Sequence, residues 1–549
     1  MKQTLIFAIM MIMMVASILA TKIKISEEGS DNIGARVILE REGLTKSMQT
    51  AIPDVEKLMK ELEIPDQQMT QHVAVIGDVD VNITDISITQ AKINDFKMEL
   101  TPPATVGMAV EGIELGISLN WKYYQHNWPH AAGHGDANAA ATDTLFKVAV
   151  SVTKNAQDKP QFKLESATLT IGHMDVNFSG GASGWVLNLL KGIFESKIKD
   201  VIQQTVQQQL EDNINNQLNQ KINETPFLVP MHIDQLDLDL EMDVTLPEPL
   251  SVTDSEIFVS NRMETYIAGN HAEPPFKPAP LPTKVQAIGV GNIFVSTWVA
   301  NDLFYQAQKT GKLDYIIKPQ DVPADSPIQL NTTFLKNYLP DLYEKFPDQL
   351  IQIEVKVTKA PTFTSKVSSG QVLANTTLLF SIYKGENDVQ KAFLANLGLN
   401  ALMDKVGLKD VNNGAQLNLT GHIQTLAADL TLAESYIGDI SIDRFALFLK
   451  IIIENGLLTQ INADLGVGVP LVLPKGLTIT DTKVEFQDGY IHAACYISYK
   501  PPTGSIARSF LKTMFLTAAE KRINERYHCA HPLLRRVNQP CKALAMLYP

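Results

Sequence analysis

Strict alternation of apolar and polar residues over unusual lengths restricts this chain more than any other feature. Ile113, Leu115, Ile117, Leu119, Trp121 and Tyr123 recur at every second position, as do Val79, Val81 and Ile83. Leu236, Leu238, Leu240, Met242, Val244 and Leu246 repeat the pattern, with Asp237, Asp239, Glu241 and Asp243 between them. Successive strand side chains point to opposite faces, so these runs predict long antiparallel strands with one buried face, and in the last run a row of carboxylates on the other. A short strand, Ala35 to Leu39, is expected before them, stopped at Gly43.

Amphipathic helices interrupt the strands. Leu44, Met48, Ile52, Val55, Leu58, Met59 and Leu62 recur at three- and four-residue spacings, which defines a first helix ended by Ile64-Pro65. A second runs from about Trp185 to Leu218. Trp185, Leu189, Ile193, Ile198, Val201, Ile202, Val206 and Leu210 form its apolar side, and the other side is rich in Gln, Asn and Lys. A helix of this kind lays its stripe on a sheet or on a ligand.

Pro274, Pro275, Pro278, Pro280 and Pro282 then crowd a short segment, HAEPPFKPAPLPT. Proline fixes φ and cannot join a ladder, so the segment predicts a stiff extended connector belonging to neither neighbour. Beyond it the order strand, helix, long strands restarts: Ile293 and Val295, a helix from Trp298 to Gln308, and strands at Ile351, Ile353, Val355 and Val357. Further strands are expected at Leu417 and Leu419 and at Phe445, Leu447, Leu449 and Ile451, followed by a short helical stretch near Leu457 to Leu465. The reading is a tandem α+β protein whose halves each carry more apolar surface than a sheet needs to close on itself. It divides as 1–20 signal peptide, 21–270 N-terminal domain, 271–283 linker, 284–502 C-terminal domain and 503–549 tail.

The segment 1–20, with Lys2, an apolar run from Leu5 to Val15 and a cut after Ala20, reads as a secretory signal peptide, so the expected location is extracellular or lumenal. Sequons at Asn82, Asn177, Asn331, Asn375 and Asn418 fit glycosylation on that route, and Asn223 is the poorest because proline follows its threonine. Of three cysteines, Cys529 and Cys541 are read as a disulfide, leaving Cys495 as a buried thiol in a strand. Charge is uneven: residues 21–250 hold 18 Lys/Arg against 33 Asp/Glu, and residues 503–549 hold 8 against 2. In that basic tail Ile506, Phe510, Met514 and Ala518 lie four apart, which suits either an anionic membrane surface or the acidic half of the same chain.

The wording of several segments adds to these patterns: VILEREGL, the GGASGW opening of the long helix, NHAEPPFKPAPLP, NTTFLKNYLPDLYEKFPDQLIQIEVKV and GVPLVLPKGLTITDTKVEFQDGYIHAACYISYK. Together they resemble the BPI/LBP/lipid-transfer family of tubular lipid-binding proteins across nearly all of residues 33–500, and ISLNWKYYQHNW looks most like its plant-type members. The resemblance implies a boomerang of two barrel-like domains joined by a central β-sheet, each barrel housing an apolar pocket for phospholipid acyl chains. It implies lipid binding or transfer at membrane or lipid-particle surfaces, in some members recognition of bacterial lipopolysaccharide, and no nucleic acid. Ala167 and Gln207 stand where the family's cysteines would be, and the short helix near Leu457 counts against the second pocket.

On this reading Leu44, Met48, Ile52, Val55, Trp185, Leu189, Ile193 and Ile198 are the expected lipid-lining residues, although the spacing alone fits plain core equally. Two acyl chains of some fifteen carbons would contribute roughly 20 kcal/mol of burial at about 0.8 kcal/mol per CH₂. Trp121 and Tyr123 continue the inward face of their strand, whereas Tyr124 and Trp128 are either more of the same or membrane contacts. His126, His130 and His134 are spaced as metal ligands on a helix would be, but Pro129 and Gly133 break that helix, so no metal is expected. No cofactor is implied beyond a bound lipid. Catalysis is not expected, because in GGASGW a glycine directly follows Ser183 where a nucleophile elbow needs it two residues on, and no HExxH or P-loop occurs.

Overall fold

The computed structural model describes residues 32–499, apart from 50–51, 61–63, 74–75, 182–183, 234–236, 285–290, 323–327, 386–387, 412–416 and 472–476. The signal segment, the proposed Cys529–Cys541 bridge and the basic tail lie outside the described residues. Three antiparallel sheets carry the architecture and a small fourth completes it. The N-terminal sheet has the order β2 (Gln67–Val73), β3 (Gly77–Lys92), β5 (Thr105–Gln125), β6 (Ala132–Lys154), β7 (Pro160–Thr170), with β4 (Asp95–Thr101) on β5 and β8 (His173–Phe178) on β6. The alternation read from sequence is the reason: Val79, Val81, Ile83, Ile113, Leu115, Ile117 and Leu119 are all buried.

The C-terminal sheet repeats the device, in the order β15 (Tyr315–Ile317), β16 (Leu350–Lys366), β17 (Ser369–Gly385), β18 (Asp388–Asp410), β19 (Leu417–Ser435), β20 (Val469–Leu471). Between the two lies a central sheet drawn from both halves, β11 (Ser251–Val252), β12 (Glu256–Asn261), β1 (Ala35–Glu40), β14 (Gly291–Ser296), β22 (Tyr490–Tyr499) and β21 (Leu477–Gln487). In it Val37 sits opposite Val259 on one side and Ile293 on the other. The small sheet is β13 (Glu264–Ile267), β10 (Leu238–Asp243), β9 (Leu228–Ile233). The fold is therefore α+β, two barrel-like units joined through the central sheet.

Helices follow the expected stripes with changed limits. The first is two segments, α1 (Arg41–Gln49) and α2 (Ile52–Met59), and it runs through Gly43 instead of starting after it. The long helix α3 (Gly184–Glu211) continues through a π-helical turn, Asp212–Leu218, into α4 (Asn219–Glu224). In the second half α5 (Thr297–Lys309) begins where expected, its Ser296 hydroxyl accepting from the Trp298 N–H as an N-cap.

Three expectations need correction. Residues 445–451 are not a strand but helix α8 (Asp443–Ile451), which continues through a π-helical turn, Ile452–Leu457, into α9 (Leu458–Val467). The segment satisfies both periods, and Phe445, Phe448 and Leu449 at helical spacing win because they pack on the sheet interior, leaving Leu447 and Ile451 outside at 61% and 53% exposure. The second helix is thus much longer than the Leu457 to Leu465 stretch implied. Next, among the described residues of the Leu236 to Leu246 run only Leu238–Asp243 form a strand, and the carboxylate row is incomplete: Asp237 and Asp239 are exposed, but Asp243 is buried and its pKa is raised by that burial.

The third concerns the proline segment, which is extended but not free-standing. The buried Arg36 guanidinium donates to the carbonyls of Leu281 (2.9 Å) and Pro282 (3.3 Å), and Trp298 Nε1 donates to Phe276 O at 2.9 Å. Leu281 packs on Ile38 and Phe294. Alternation explains the arrangement: Val37 and Leu39 face the N-terminal core while Arg36 and Ile38 face the other way, and the proline strap covers that second face.

Candidate functional site

Each half presents the same construction, a long helix fastened along the open edge of a curved sheet. Strand β7 ends its sheet, so its outer backbone groups have no neighbouring strand. Asn219 supplies the missing partners: its Oδ1 accepts from Phe162 N at 2.8 Å and its Nδ2 donates to Phe162 O at 2.7 Å, while Asn215 Oδ1 accepts from Leu164 N at 2.8 Å. In the second half β20 covers β19 only over Leu417–Leu419, and beyond it Asn462 of α9 does the same for Ile423, at 2.7 and 2.8 Å. Buried backbone groups are costly unpaired, and a helix asparagine can satisfy both at once.

The far end of the first helix is tied down by charge. Lys159 is 3% exposed, and its ammonium donates to Asn223 O (2.8 Å) and Thr225 O (2.6 Å) at the C-terminal end of α4, where the helix dipole favours a cation. Burial holds its pKa below the ordinary lysine value. The polar side of the helix, read from sequence as rich in Gln, Asn and Lys, is thus a fastening edge in part and not only a solvated face.

The apolar side looks inward. Of the residues expected to line a pocket, Leu44, Met48 and Ile198 are buried and packed in the N-terminal core, while Ile52 and Ile193 are half-buried against it. The side chains of Val55, Trp185 and Leu189 lie outside the described residues. Phe194, which the sequence reading did not single out, is fully buried and makes an edge-on contact with Phe178 at 5.0 Å, which in turn meets Trp121 at 5.7 Å. The C-terminal interior differs. Tyr338 and Phe448 stack at 4.0 Å, and Leu399, Met403, Ile461 and Leu465, elsewhere in the same core, are only half-buried. The strand assignment of 445–451 had hidden this lining.

The turn between β5 and β6 forms one end of the N-terminal sheet. Trp121 and Tyr123 point inward at 2% exposure each, whereas Tyr124 is 45% and Trp128 86% exposed. The three histidines of this region do not converge: His126 pairs with Asp80 at 2.8 Å, His130 stacks on Tyr124, and His134 stands opposite Lys122 in the ladder. Among the described residues no group of three or more His, Cys, Asp or Glu could hold a metal ion. Among them, too, no helix is long and apolar enough to cross a membrane.

Where the halves meet, polar groups are buried. Asp302 of α5 is fully buried, accepting from Thr265 N (2.5 Å) and Gln306 Nε2 (3.2 Å), and burial pushes its pKa up to about 7. Glu264, also fully buried, takes a hydrogen bond from Asn32 and raises Asp302 further. Cys495 is a buried free thiol with its pKa pushed up to about 12 by desolvation, as the strand pattern implied. Of the sequons, Asn177 and Asn375 are exposed, Asn82 is half-exposed and Asn331 caps α6 (Thr332–Leu335). Asn418 is half-exposed, its Nδ2 donating to Val467 O at 2.9 Å while its Oδ1 is buried.

Residues 43–222 match the LBP / BPI / CETP family, N-terminal domain, and residues 234–499 match the LBP / BPI / CETP family, C-terminal domain. The chain is 23% identical over 463 residues to a bactericidal permeability-increasing protein of Sebastes schlegelii, covering 84% of this chain and 94% of that one. It is 21% identical over 486 residues to a lipopolysaccharide-binding protein of Mus musculus, covering 87% and 96%. A crystal structure of lipopolysaccharide binding protein superimposes with a TM-score of 0.57 at 18% identity, over 85% of this chain and 99% of that one. With both domains matched in order and the two-barrel fold in place, this chain belongs to the LBP/BPI/CETP family.

Proposed function

We propose that the protein is a secreted, non-enzymatic lipid-binding protein that holds acyl chains between the long helices and their sheets and hands lipid between surfaces. The half-buried aliphatic and aromatic interior of the C-terminal half carries the reading: Tyr338, Phe448, Met403, Ile461 and Leu465 present apolar surface that a folded chain ordinarily covers, and an acyl chain is the guest that surface suits. Ile52 and Ile193 are the corresponding candidates in the N-terminal half. Tyr124 and the 86% exposed Trp128 are placed to rest among lipid headgroups during transfer.

A second reading, recognition of lipopolysaccharide, is favoured by the names of the relatives. Against its strongly cationic form stands the acidic balance of residues 21–250, since phosphate-rich glycolipid is repelled by carboxylates. The test is mass spectrometry of lipids extracted from protein purified without detergent, followed by uptake from vesicles of phosphatidylcholine or lipopolysaccharide. Co-purifying phospholipid at one or two molecules per chain supports the first reading, and salt-insensitive capture of lipopolysaccharide in preference to phosphatidylcholine supports the second. A lipid-free protein that takes up neither would refute both.

A further inference from the structure

The inward stripe of the long N-terminal helix contains one residue that does not belong in an apolar core. Val206, Leu210 and Ile214 are buried along it, and Asn213, three positions beyond Leu210, is buried with them at 2% exposure. Its neighbours Asn215 and Asn219 have a structural task on strand β7. Asn213 has none: among the described residues neither its Oδ1 nor its Nδ2 has a hydrogen-bond partner. A buried amide with both groups unpaired is unfavourable, and an apolar side chain in its place would be free of that penalty.

A second observation falls on the same residue. Asn213 lies in the π-helical turn Asp212–Leu218, where the widened helix brings two consecutive residues, Asn213 and Ile214, to the buried side. Such turns inside helices are frequent at functional sites. The π-helical turn of the C-terminal half, Ile452–Leu457, buries the apolar Ile453 instead.

We infer that Asn213 is the polar contact for a lipid held in the N-terminal half, its Nδ2 donating to an ester or amide carbonyl and its Oδ1 accepting from a hydroxyl beside it. An unpaired donor and an unpaired acceptor on one amide are both met by a guest that offers acceptor and donor together, and a neutral hydroxyl next to a carbonyl at the polar end of an acyl chain does so. Charge plays no part, since desolvating an ion beside a neutral amide in an apolar interior is unfavourable. The inference rests on the lipid-binding reading and adds to it the group that is recognised.

The test compares two lipids with the same phosphocholine headgroup and chain length, stearoyl lysophosphatidylcholine and its octadecyl methyl diether counterpart, which lacks both carbonyl and hydroxyl. The full-length protein is expected to bind the first about tenfold more tightly, in line with sites built to pair a polar group that is then missing. In Asn213→Leu that preference falls to under about twofold, while the melting temperature holds or rises because both unpaired groups are gone. Asn215→Ala, which loosens the helix edge, lowers stability and keeps the preference. An unchanged preference in Asn213→Leu overturns the inference, as does a wild-type protein that binds both lipids equally. Binding of neither by wild type would instead refute the lipid reading itself. Should the leucine variant fail to fold, selective asparagine labelling of wild type decides: the Asn213 side-chain amide resonance shifts with the lysolipid and not with the diether, and equal shifts or none overturn the inference.

Discussion

The two halves share a plan and differ in how well they fill it. Both fasten a π-interrupted helix to an open sheet edge through asparagine side chains, at Phe162 in one and Ile423 in the other. In the N-terminal half the helix stripe from Phe194 through Ile198 and Ile202 to Leu210 is packed to near-zero exposure. In the C-terminal half the equivalent surface at Phe448, Ile461 and Leu465 stays half-open. A close-packed interior is rigid and intolerant of change, whereas half-covered apolar side chains still have surface to give to a guest. The same architecture therefore leaves more open apolar surface for a guest in the second half than in the first.

The sharpest way to break that contrast is to place a carboxylate in each interior. Ile198→Asp puts an unpaired charge into packed core and is expected to cost several kcal/mol, enough to abolish secretion of folded protein. Ile461→Asp, at a half-open position, should leave the fold standing and reduce lipid loading about tenfold. Secretion yield, urea denaturation and lipid content per chain are the measurements. Equal damage to folding from both changes would erase the distinction between the packed stripe and the half-open one.

The boundary between the halves comes next in size. The Asp302 pKa lies at about 7 in the folded protein, against an ordinary 3.8. A carboxyl whose folded value is raised holds its proton more tightly in the native state, so its contribution is fully present below the unfolded value near 4 and is lost as pH climbs through 7. The shift corresponds to at most roughly 4 kcal/mol over that window, at about 1.36 kcal/mol per unit. Asp302→Asn removes it. The gap in unfolding free energy between variant and wild type should therefore widen in the variant's favour from pH 4 to pH 8. Glu264 on β13 and Gln306 on the same helix act on Asp302 directly, Tyr266 is coupled in turn to Glu264, Asp243 and Glu273, and His271 pairs with Glu241, so a pH-independent gap would show that these groups compensate one another.

Much of this plan was legible in the residues. Alternation gave the long strands, because a half-buried antiparallel strand must alternate, and helical spacing gave α1 to α3. Phe445 to Ile451 misled because its apolar residues satisfy both periods at once, and only packing on a sheet not yet known decides between them. The asparagine clamps were illegible for a different reason. Asn215, Asn219 and Asn462 look like solvated helix residues until the open strand edges opposite them are known, and the contacts at Phe162, Leu164 and Ile423 are long-range. The strap was half-read: proline excluded it from a ladder, but nothing local announced that Arg36 would hold it to the central sheet.

Those clamps allow a direct comparison of the halves at a smaller scale. Asn219→Ala and Asn462→Ala each remove the two hydrogen bonds to a strand residue and leave its backbone unpaired at the helix contact, a loss of about 1–3 kcal/mol. Denaturant unfolding gives the total, and amide hydrogen exchange at Phe162 and Ile423 localises it. Asn219→Ala should be the milder, since Asn215 and Lys159 still hold the same helix. A larger loss at Asn219 would mean that the clamps act as a unit in the first half.

The smallest effect separates the two ends of the molecule at a membrane. The β5–β6 turn offers Trp128 almost fully exposed beside Tyr124, while the start of β18 offers Val389 at 39% exposure and the end of β17 carries Lys384. Indole prefers the headgroup region and a lone valine gains little there, so an N-terminal docking end predicts unequal sensitivity. Trp128→Ala should slow association with phosphatidylcholine vesicles about threefold without altering the melting temperature, because so exposed a side chain supports little of the fold. Val389→Ala should change neither. Wild-type tryptophan fluorescence should shift to the blue on vesicle binding, and the shift should shrink when Trp128 is removed, since Trp121, buried at 2% exposure and bonded to Asp136 O, already sits in an apolar setting. Equal slowing by both substitutions would make docking a property of either end, and a blue shift that persists without Trp128 would move the contact away from this turn altogether.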